Sequence, residues 1–261
     1  MIIDSANKFK DLFQQFGHRV TIVNDILWRD YQKMVLPIGP ANQNYYLSVS
    51  DKKYLLKYFR GSILVRATKG FIDSPCQWYC VIRDKHIPLE NMVNKVHQRH
   101  VKYGLKKCLV QRINTKVIEK EGWPVFSAAF RRYKNPSLQP TEKQFKQEII
   151  KNGFEDIFHY WGVFEKTTGR LIAYAYNYLY GKVEVYYSTV YVHPDFLHLY
   201  PSYALRYESD RYYLDELKFS YANAGFRNLF HETNIHRLLI EKFAYKKQPV
   251  ELNIHYRPFL G

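Results

Sequence analysis

The chain has 261 residues, of which 46% are hydrophobic and 17% aromatic, ample for a core in one large domain or two small ones. Lys and Arg outnumber Asp and Glu by 39 to 24, a formal charge of +15 that suits an anionic partner such as nucleic acid, a phosphorylated cofactor or a membrane face. A polar, amphipathic start from Met1 to Gln14 argues against a signal peptide, and the lack of any run of about 18 apolar residues argues against a membrane span.

Along the chain, Ile2 to Phe16 reads as a short helix, with Phe9, Leu12, Phe13 and Phe16 on one stripe. Arg19 to Val23 fits a strand, and Leu27 to Leu36 fits a helix closed by Pro37 and the Gly39-Pro40 breaker. Tyr45 to Tyr58 reads as either. Ser62 to Arg66 and Gln77 to Arg83 read as strands around a Gly70 to Pro75 loop. Cys76 and Cys80 lack the second pair that a zinc site needs, and with Cys108 they form no disulfide framework, which points to a reducing cytoplasm. Pro88 opens a helix to about Tyr103, whose polar face carries Lys95, His97, Arg99, His100 and Lys102. Gly104 then reads as an ordinary helix end beside Lys106 and Lys107.

Cys108 to Ile113 is the next expected strand. Thr115 to Tyr133 is helical around a Gly122-Trp123-Pro124 interruption, and Thr141 caps a helix to Lys151. Three aromatic-rich strands follow, Phe158 to Glu165, Arg170 to Tyr180 and Val183 to Val192, divided by turn signals at Thr167-Thr168-Gly169 and Gly181-Lys182. The last strand stops at Pro194, and an amphipathic helix is expected from about Pro201 to Ala222. A strand entering a helix N-terminus through a short loop is a physical anion site, because the first helical N–H groups lack partners. Phe226 to His231, Asn234 to Phe243 and Val250 to Arg257 complete the order as strand, helix and strand.

The run Val192-His193-Pro194-Asp195-Phe196-Leu197-His198-Leu199-Tyr200-Pro201-Ser202-Tyr203-Ala204-Leu205 resembles the defining segment of the GNAT acyltransferase superfamily. There a strand ends in Val-x-Pro-(Asp/Glu)-aromatic, and a loop Gln/Arg-x-x-Gly-x-Gly/Ala opens a helix and holds the pyrophosphate of acyl-CoA. Leu197, Tyr200 and Ser202 stand where that loop has Gln or Arg, Gly, and Gly or Ala. The element order β-α-α-β-β-β-α-β-α-β over residues 107–261 is similar to the same superfamily. So is Asn234 to Tyr245, with Asn234 at the cofactor-facing Asn and Ile240 at the general-acid Tyr. Asn234 also fits a plain helix cap. Arg99-His100-Val101-Lys102-Tyr103-Gly104-Leu105-Lys106-Lys107 resembles an Arg-x-x-(basic/aromatic)-Gly-Leu-Lys element of Fem-like proteins, which carry two GNAT-type lobes.

The resemblance implies an α/β (α+β) fold, with a mixed, mostly antiparallel sheet flanked by helices in residues 107–261. Residues 1–106 would form a basic α+β lobe, a reduced second GNAT-like unit. The implied activity is N-acyl transfer from an acyl-CoA or acyl carrier protein thioester to a small amine or amino-acid-like acceptor. The rivals are a Fem-like transferase using aminoacyl-tRNA and a non-catalytic module binding an anionic partner. The implied cofactor contacts are Val190 and Val192 on the strand, then His198, Tyr200, Ser202, Tyr203 and Asn234; no metal is called for. For the chemistry, Glu184 is the carboxylate inside the third strand and a candidate base. Tyr187 and Ser188 are the other candidates. Strict alternation puts Glu184, Tyr186 and Ser188 on one face and Tyr187 on the other.

Overall fold

Two pairs of left-handed residues shape the first part of the chain. Asn24 and Asp25 have φ of 53° and 58°, and Gln32 and Lys33 have 49° and 63°. Consecutive positive φ values make two-residue hairpin turns whose twist matches that of the flanking strands. They join β1 (Val20–Val23), β2 (Ile26–Tyr31) and β3 (Met34–Ile38), which pair antiparallel. The helix expected over Leu27 to Leu36 is therefore a hairpin. Its second turn is built from Gln and Lys, residues that give no turn signal.

The computed structural model describes residues 3–132, 139–150, 153–227 and 234–257. Contacts divide the chain into two compact units. The first takes Met1–Ile82, Gly225–Ile240 and Tyr245–Gly261, and the second takes Arg83–Ala224 and Glu241–Ala244. This differs from a division after residue 106, because the helix before that point packs into the second unit.

In the first unit, α1 (Ile3–Gln15) buries Phe9, Leu12 and Phe13. The stretch that read as either helix or strand contains α2 (Val49–Tyr58), started by a capping box in which Ser48 and Asp51 satisfy each other's backbone N–H groups. β4 (Leu64–Phe71) pairs parallel with β3, and β11 (Lys246–Tyr256) pairs antiparallel with both β4 and β5 (Tyr79–Arg83). Trp28, Tyr45, Leu55, Leu56, Phe59 and Val65 form the core beneath this sheet.

In the second unit a 3-10 turn, Leu89–Asn91, precedes α3 (Lys95–Lys107). The helix expected from Pro88 thus starts at Asn94, whose side chain accepts from the N–H groups of Val96 and His97. β6 (Cys108–Ile113) follows, then α4 (Thr115–Val117), a π-turn at Ile118–Gly122 and α5 (Trp123–Phe130). The expected Gly-Trp-Pro interruption is that π-turn, which lets Pro124 enter at a new helical start. α6 (Glu142–Gln147) is capped by Thr141 as expected and is shorter than expected. β7 (Phe158–Glu165), β8 (Leu171–Tyr180) and β9 (Glu184–Val192) form the antiparallel meander. β6 pairs antiparallel with β7 at its edge.

The long helix is shorter than expected. α7 (Pro201–Asp210) widens into a π-helix at Arg211–Glu216, and β10 (Tyr221–Phe226) then pairs parallel with the start of β9. The strand expected at Phe226 to His231 therefore begins earlier; residues 228–231 lie outside the described residues. α8 (Asn234–Phe243) precedes β11. From β6 onward, with α4, the π-turn and α5 taken as one unbroken helix, the order is β-α-α-β-β-β-α-β-α-β, the GNAT-like order, with a mixed, mostly antiparallel sheet flanked by helices. No helix among the described residues is long and apolar enough to cross a membrane.

Candidate functional site

Strand β9 supports the candidate site, and its two ends differ. At its start Glu184, Val185 and Tyr186 pair with Tyr221, Ala222 and Asn223 of β10. Toward its end, Thr189 to Val192 pair with β8. Between them the ladder slips: Tyr187 pairs with Asn177 and Thr189 with Tyr176, leaving Ser188 as the extra residue of a bulge. The bulge breaks strict alternation. Tyr186 packs toward Tyr178, and Thr189 Oγ1 lies 3.1 Å from the Tyr176 hydroxyl, so Tyr186 and Thr189 share the face of β8 that carries Tyr176 and Tyr178. Ser188 is therefore not simply aligned with Glu184 and Tyr186.

Glu184 is 1% exposed, and Asn223 Nδ2 donates to its Oε1 at 3.0 Å. It sits where β9 and β10 are still paired. Tyr187 points to the opposite face, toward α7, and its hydroxyl donates to Asp210 Oδ1 at 2.7 Å. The other carboxylate oxygen of Asp210 meets Arg83 Nη1 at 2.9 Å. Both partners are buried, Asp210 fully and Arg83 at 6% exposure. The Arg206 guanidinium carbon lies 3.7 Å from the centre of the Tyr187 ring, a cation–π contact in a desolvated setting. Tyr187 is thus oriented from two sides by charged groups of α7.

Deeper on the same face, Tyr213 is fully buried in the π-helix. His159 Nδ1, Trp161 Nε1 and Asn177 Nδ2 meet its hydroxyl at 2.8, 2.8 and 3.3 Å. Burial, with Arg112 adding to it, holds His159 down to about 3, so its imidazole is neutral near pH 7.

The loop after β9 is a 3-10 turn, Pro194–Leu199, capped by His193. His198 and Leu197 are exposed on it. Tyr200, at the family's first glycine position, is left-handed with φ 53° and ψ 44°. The backbone there keeps the glycine-like conformation, and the side chain is accommodated by stacking on His100, with centroids 4.1 Å apart and planes at 11°. Its carbonyl accepts from both Tyr203 N–H and Ala204 N–H, at 3.1 and 3.2 Å. Pro201 has no N–H to offer. Of the first four helical positions, Ser202 alone retains an N–H that does not donate to Tyr200. An anion site needs several converging N–H groups, and the local backbone does not present them.

α3 closes this loop from behind. A Cβ on Gly104 would lie 2.8 Å from the Tyr200 carbonyl oxygen and 3.2 Å from Ala204 Cβ. Gly104 is therefore a close-approach residue inside α3, which continues to Lys107, and not the helix end that the sequence suggested. Tyr203 is buried, and its hydroxyl is 3.2 Å from Lys242 Nζ. Desolvation first, then Lys242, lowers the ionisation of both His97 and His100 from the ordinary imidazole range. Burial pushes the Cys108 thiol up to about 11, which removes it as a nucleophile near neutral pH.

Of the residues singled out in the sequence, Val190 and Val192 are half-buried on β9, and Ser202 is half-buried on α7. Asn234 opens α8, and its side chain lies outside the described residues. Arg83, Asp210, Arg206 and Tyr213 gave no sequence signal as a group; Arg206 and Asp210 are one helical turn apart, but Arg83 is 127 residues away from Asp210. A separate cleft of about 320 Å³ lies beside Arg112, Thr115, Phe158 and Tyr160, and none of the sequence-derived candidates lines it. Among the described residues no cluster of three or more His, Cys, Asp or Glu converges as a metal site.

No protein-family profile and no curated protein sequence matches the chain. Solved structures do match it in fold. FemX is 9% identical with a TM-score of 0.60, covering 96% of this chain and 91% of its own. The C-terminal domain of a candidate lysylphosphatidylglycerol synthetase from Agrobacterium fabrum is 12% identical at 0.60, with the same coverage. L-PGS from Bacillus licheniformis is 12% identical at 0.56, covering 97% and 91%. The chain has the GNAT-like fold of these Fem-like and synthetase structures.

Proposed function

We propose that the chain is an acyl-group transferase whose donor is an aminoacyl ester on RNA and whose acceptor is an amine. The observation that carries this reading is the closed loop at Tyr200. A side chain, a proline and an occupied carbonyl stand where a pyrophosphate would need a ring of N–H groups. A donor without a nucleoside pyrophosphate fits that loop better than acyl-CoA does. The basic charge of +15 supports an RNA-borne donor. The fold neighbours named for lysylphosphatidylglycerol synthesis and as FemX support it too.

In this reading the acceptor nitrogen attacks the ester carbonyl carbon. The C–N bond forms, the ester C–O bond breaks, and the proton lost from nitrogen ends on the leaving ribose oxygen. Charge develops on the carbonyl oxygen and must meet a donor. The bulge at Ser188 turns a peptide out of the regular ladder, which is one way to aim an N–H or hydroxyl at that oxygen. Tyr187, held by Asp210 and covered by Arg206, fixes the neighbouring backbone as a positioning residue. Glu184, buried against Asn223, is assigned to strand cohesion rather than to proton abstraction.

A thioester donor is the second reading, favoured for an acyl carrier protein over free CoA by the same closed loop. The test offers radiolabelled aminoacyl-tRNA, acetyl-CoA and acetyl-acyl carrier protein separately to a panel of small amines. Label moving from tRNA into an amide supports the first reading. Label moving only from a thioester replaces it with the second. Transfer from none of the three, with the fold intact by circular dichroism, leaves a non-catalytic module.

A further inference from the structure

The outer face of α3 combines charge with exposed apolar surface. Lys95, Val96, Arg99, Lys102, Tyr103 and Lys106 are all exposed. Their spacing of one, four, seven, eight and eleven residues from Lys95 is that of a single helical stripe. Val93, just before the Asn94 cap, is 96% exposed, Val96 is 52% exposed and Tyr103 is 41% exposed. From Asn91 to Leu109 there are five Lys or Arg residues and no Asp or Glu. Glu90 precedes the segment, and Glu241 of α8 acts on His97. The inner face is buried through Val101 and Gly104, so the stripe is fixed in its outward direction.

We infer that this face of α3 docks the protein on an anionic lipid bilayer. Charge alone would fit RNA equally well. The nearly bare Val93 and the half-exposed Val96 decide between them, because a phosphodiester surface gives aliphatic side chains nothing to bury against, whereas a bilayer interface does. Lys and Arg on such a stripe keep their charged ends at the headgroups while their stems lie along the apolar boundary. Each cation near an anionic leaflet raises partitioning by about fivefold. The inference does not depend on the donor chemistry, since docking needs no acyl group.

The test is co-sedimentation of the full chain with vesicles of equimolar phosphatidylglycerol and phosphatidylcholine, and with phosphatidylcholine alone. Binding is expected to the first and not to the second, and to weaken at high salt. Lys95→Glu, Arg99→Glu and Lys102→Glu together should reduce it by more than about a hundredfold. Val93→Ser with Val96→Ser, which keeps every charge, should reduce it by about tenfold, and Val93→Trp should strengthen it. All these positions are exposed, and a melting curve checks the fold. A parallel retention assay with tRNA separates the alternatives. If the serine pair leaves vesicle binding unchanged, or the intact protein ignores the anionic vesicles, the inference fails; in the second case retention of tRNA assigns the stripe to RNA.

Discussion

The His100 ring lies flat on the Tyr200 ring, centroids 4.1 Å apart, and this pair joins α3 to the loop that opens α7. Tyr203 and Tyr103 meet Tyr200 edge-on at 5.5 and 6.1 Å. The loop position at which GNAT-type proteins admit a phosphate is thus filled by an aromatic cluster.

Acetyl-CoA should bind weakly, with a dissociation constant well above the micromolar range. Tyr200→Gly suits the left-handed backbone and removes the ring, but Pro201 still withholds an N–H. That variant alone should leave binding weak, whereas Tyr200→Gly with Pro201→Gly should tighten it measurably. Calorimetry on the three proteins checks both steps.

Gly104→Ala should destabilise the second unit. Alanine improves helix propensity by up to about 1 kcal/mol. Its Cβ, however, would meet a backbone oxygen at 2.8 Å, and backbone yields less readily than a side-chain tip. Overpacking of this kind costs about 1–3 kcal/mol, so a net loss is expected in urea unfolding.

Asp210→Ala leaves Arg83 buried without its carboxylate partner, a change that costs roughly 3–5 kcal/mol when a buried pair is broken from one side. Arg83→Met combined with Asp210→Leu should be much less harmful than the sum of the two single changes. Tyr187→Phe removes one acceptor-bound hydroxyl and should cost less than Asp210→Ala. A double-mutant cycle by denaturant unfolding gives the coupling.

His159 should make the fold acid-sensitive. Its folded value is about 3, against an ordinary value of 6.5. Between those values the unfolded chain binds a proton and the folded chain does not. Stability is therefore full above pH 6.5 and falls as pH drops toward 3, by about 1.4 kcal/mol per pH unit from this group. His18, His86, His97, His100 and His193 are lowered as well and add to the same trend. His159→Asn should flatten the slope by about one proton between pH 6 and 4, read from urea midpoints.

The meander and its edge were legible because their residues are locally consistent. The expected limits of Cys108 to Ile113 and Phe158 to Glu165 coincide with β6 and β7. The Leu27 to Leu36 stretch misled because its apolar residues cluster as a helix would place them, while the turn at Gln32-Lys33 relies on tertiary pairing to hold two positive φ values. The helix expected to reach Ala222 stops because the chain turns at Lys218, with φ 57°, and Tyr221 to Asn223 meet β9. The loop at Tyr200 was legible as a departure from a phosphate cradle, and its closure from behind by Gly104 was not. The buried Arg83–Asp210–Tyr187 group had no local signature, since its members come from three segments that only the fold brings together.

The crowding at Tyr213 fixes the whereabouts of individual hydrogens. A tyrosine hydroxyl has one hydrogen and two lone pairs. Trp161 Nε1 can only donate, and Asn177 presents its amide nitrogen, so both lone pairs are taken. The hydroxyl hydrogen is left to His159 Nδ1, which must then be the bare nitrogen. The imidazole carries its proton on Nε2, and the backbone of Glu155 accepts there. One tautomer is thereby selected inside the core, visible as distinct nitrogen shifts by NMR. Deleting a single oxygen with Tyr213→Phe would strand three polar groups at once and release that choice.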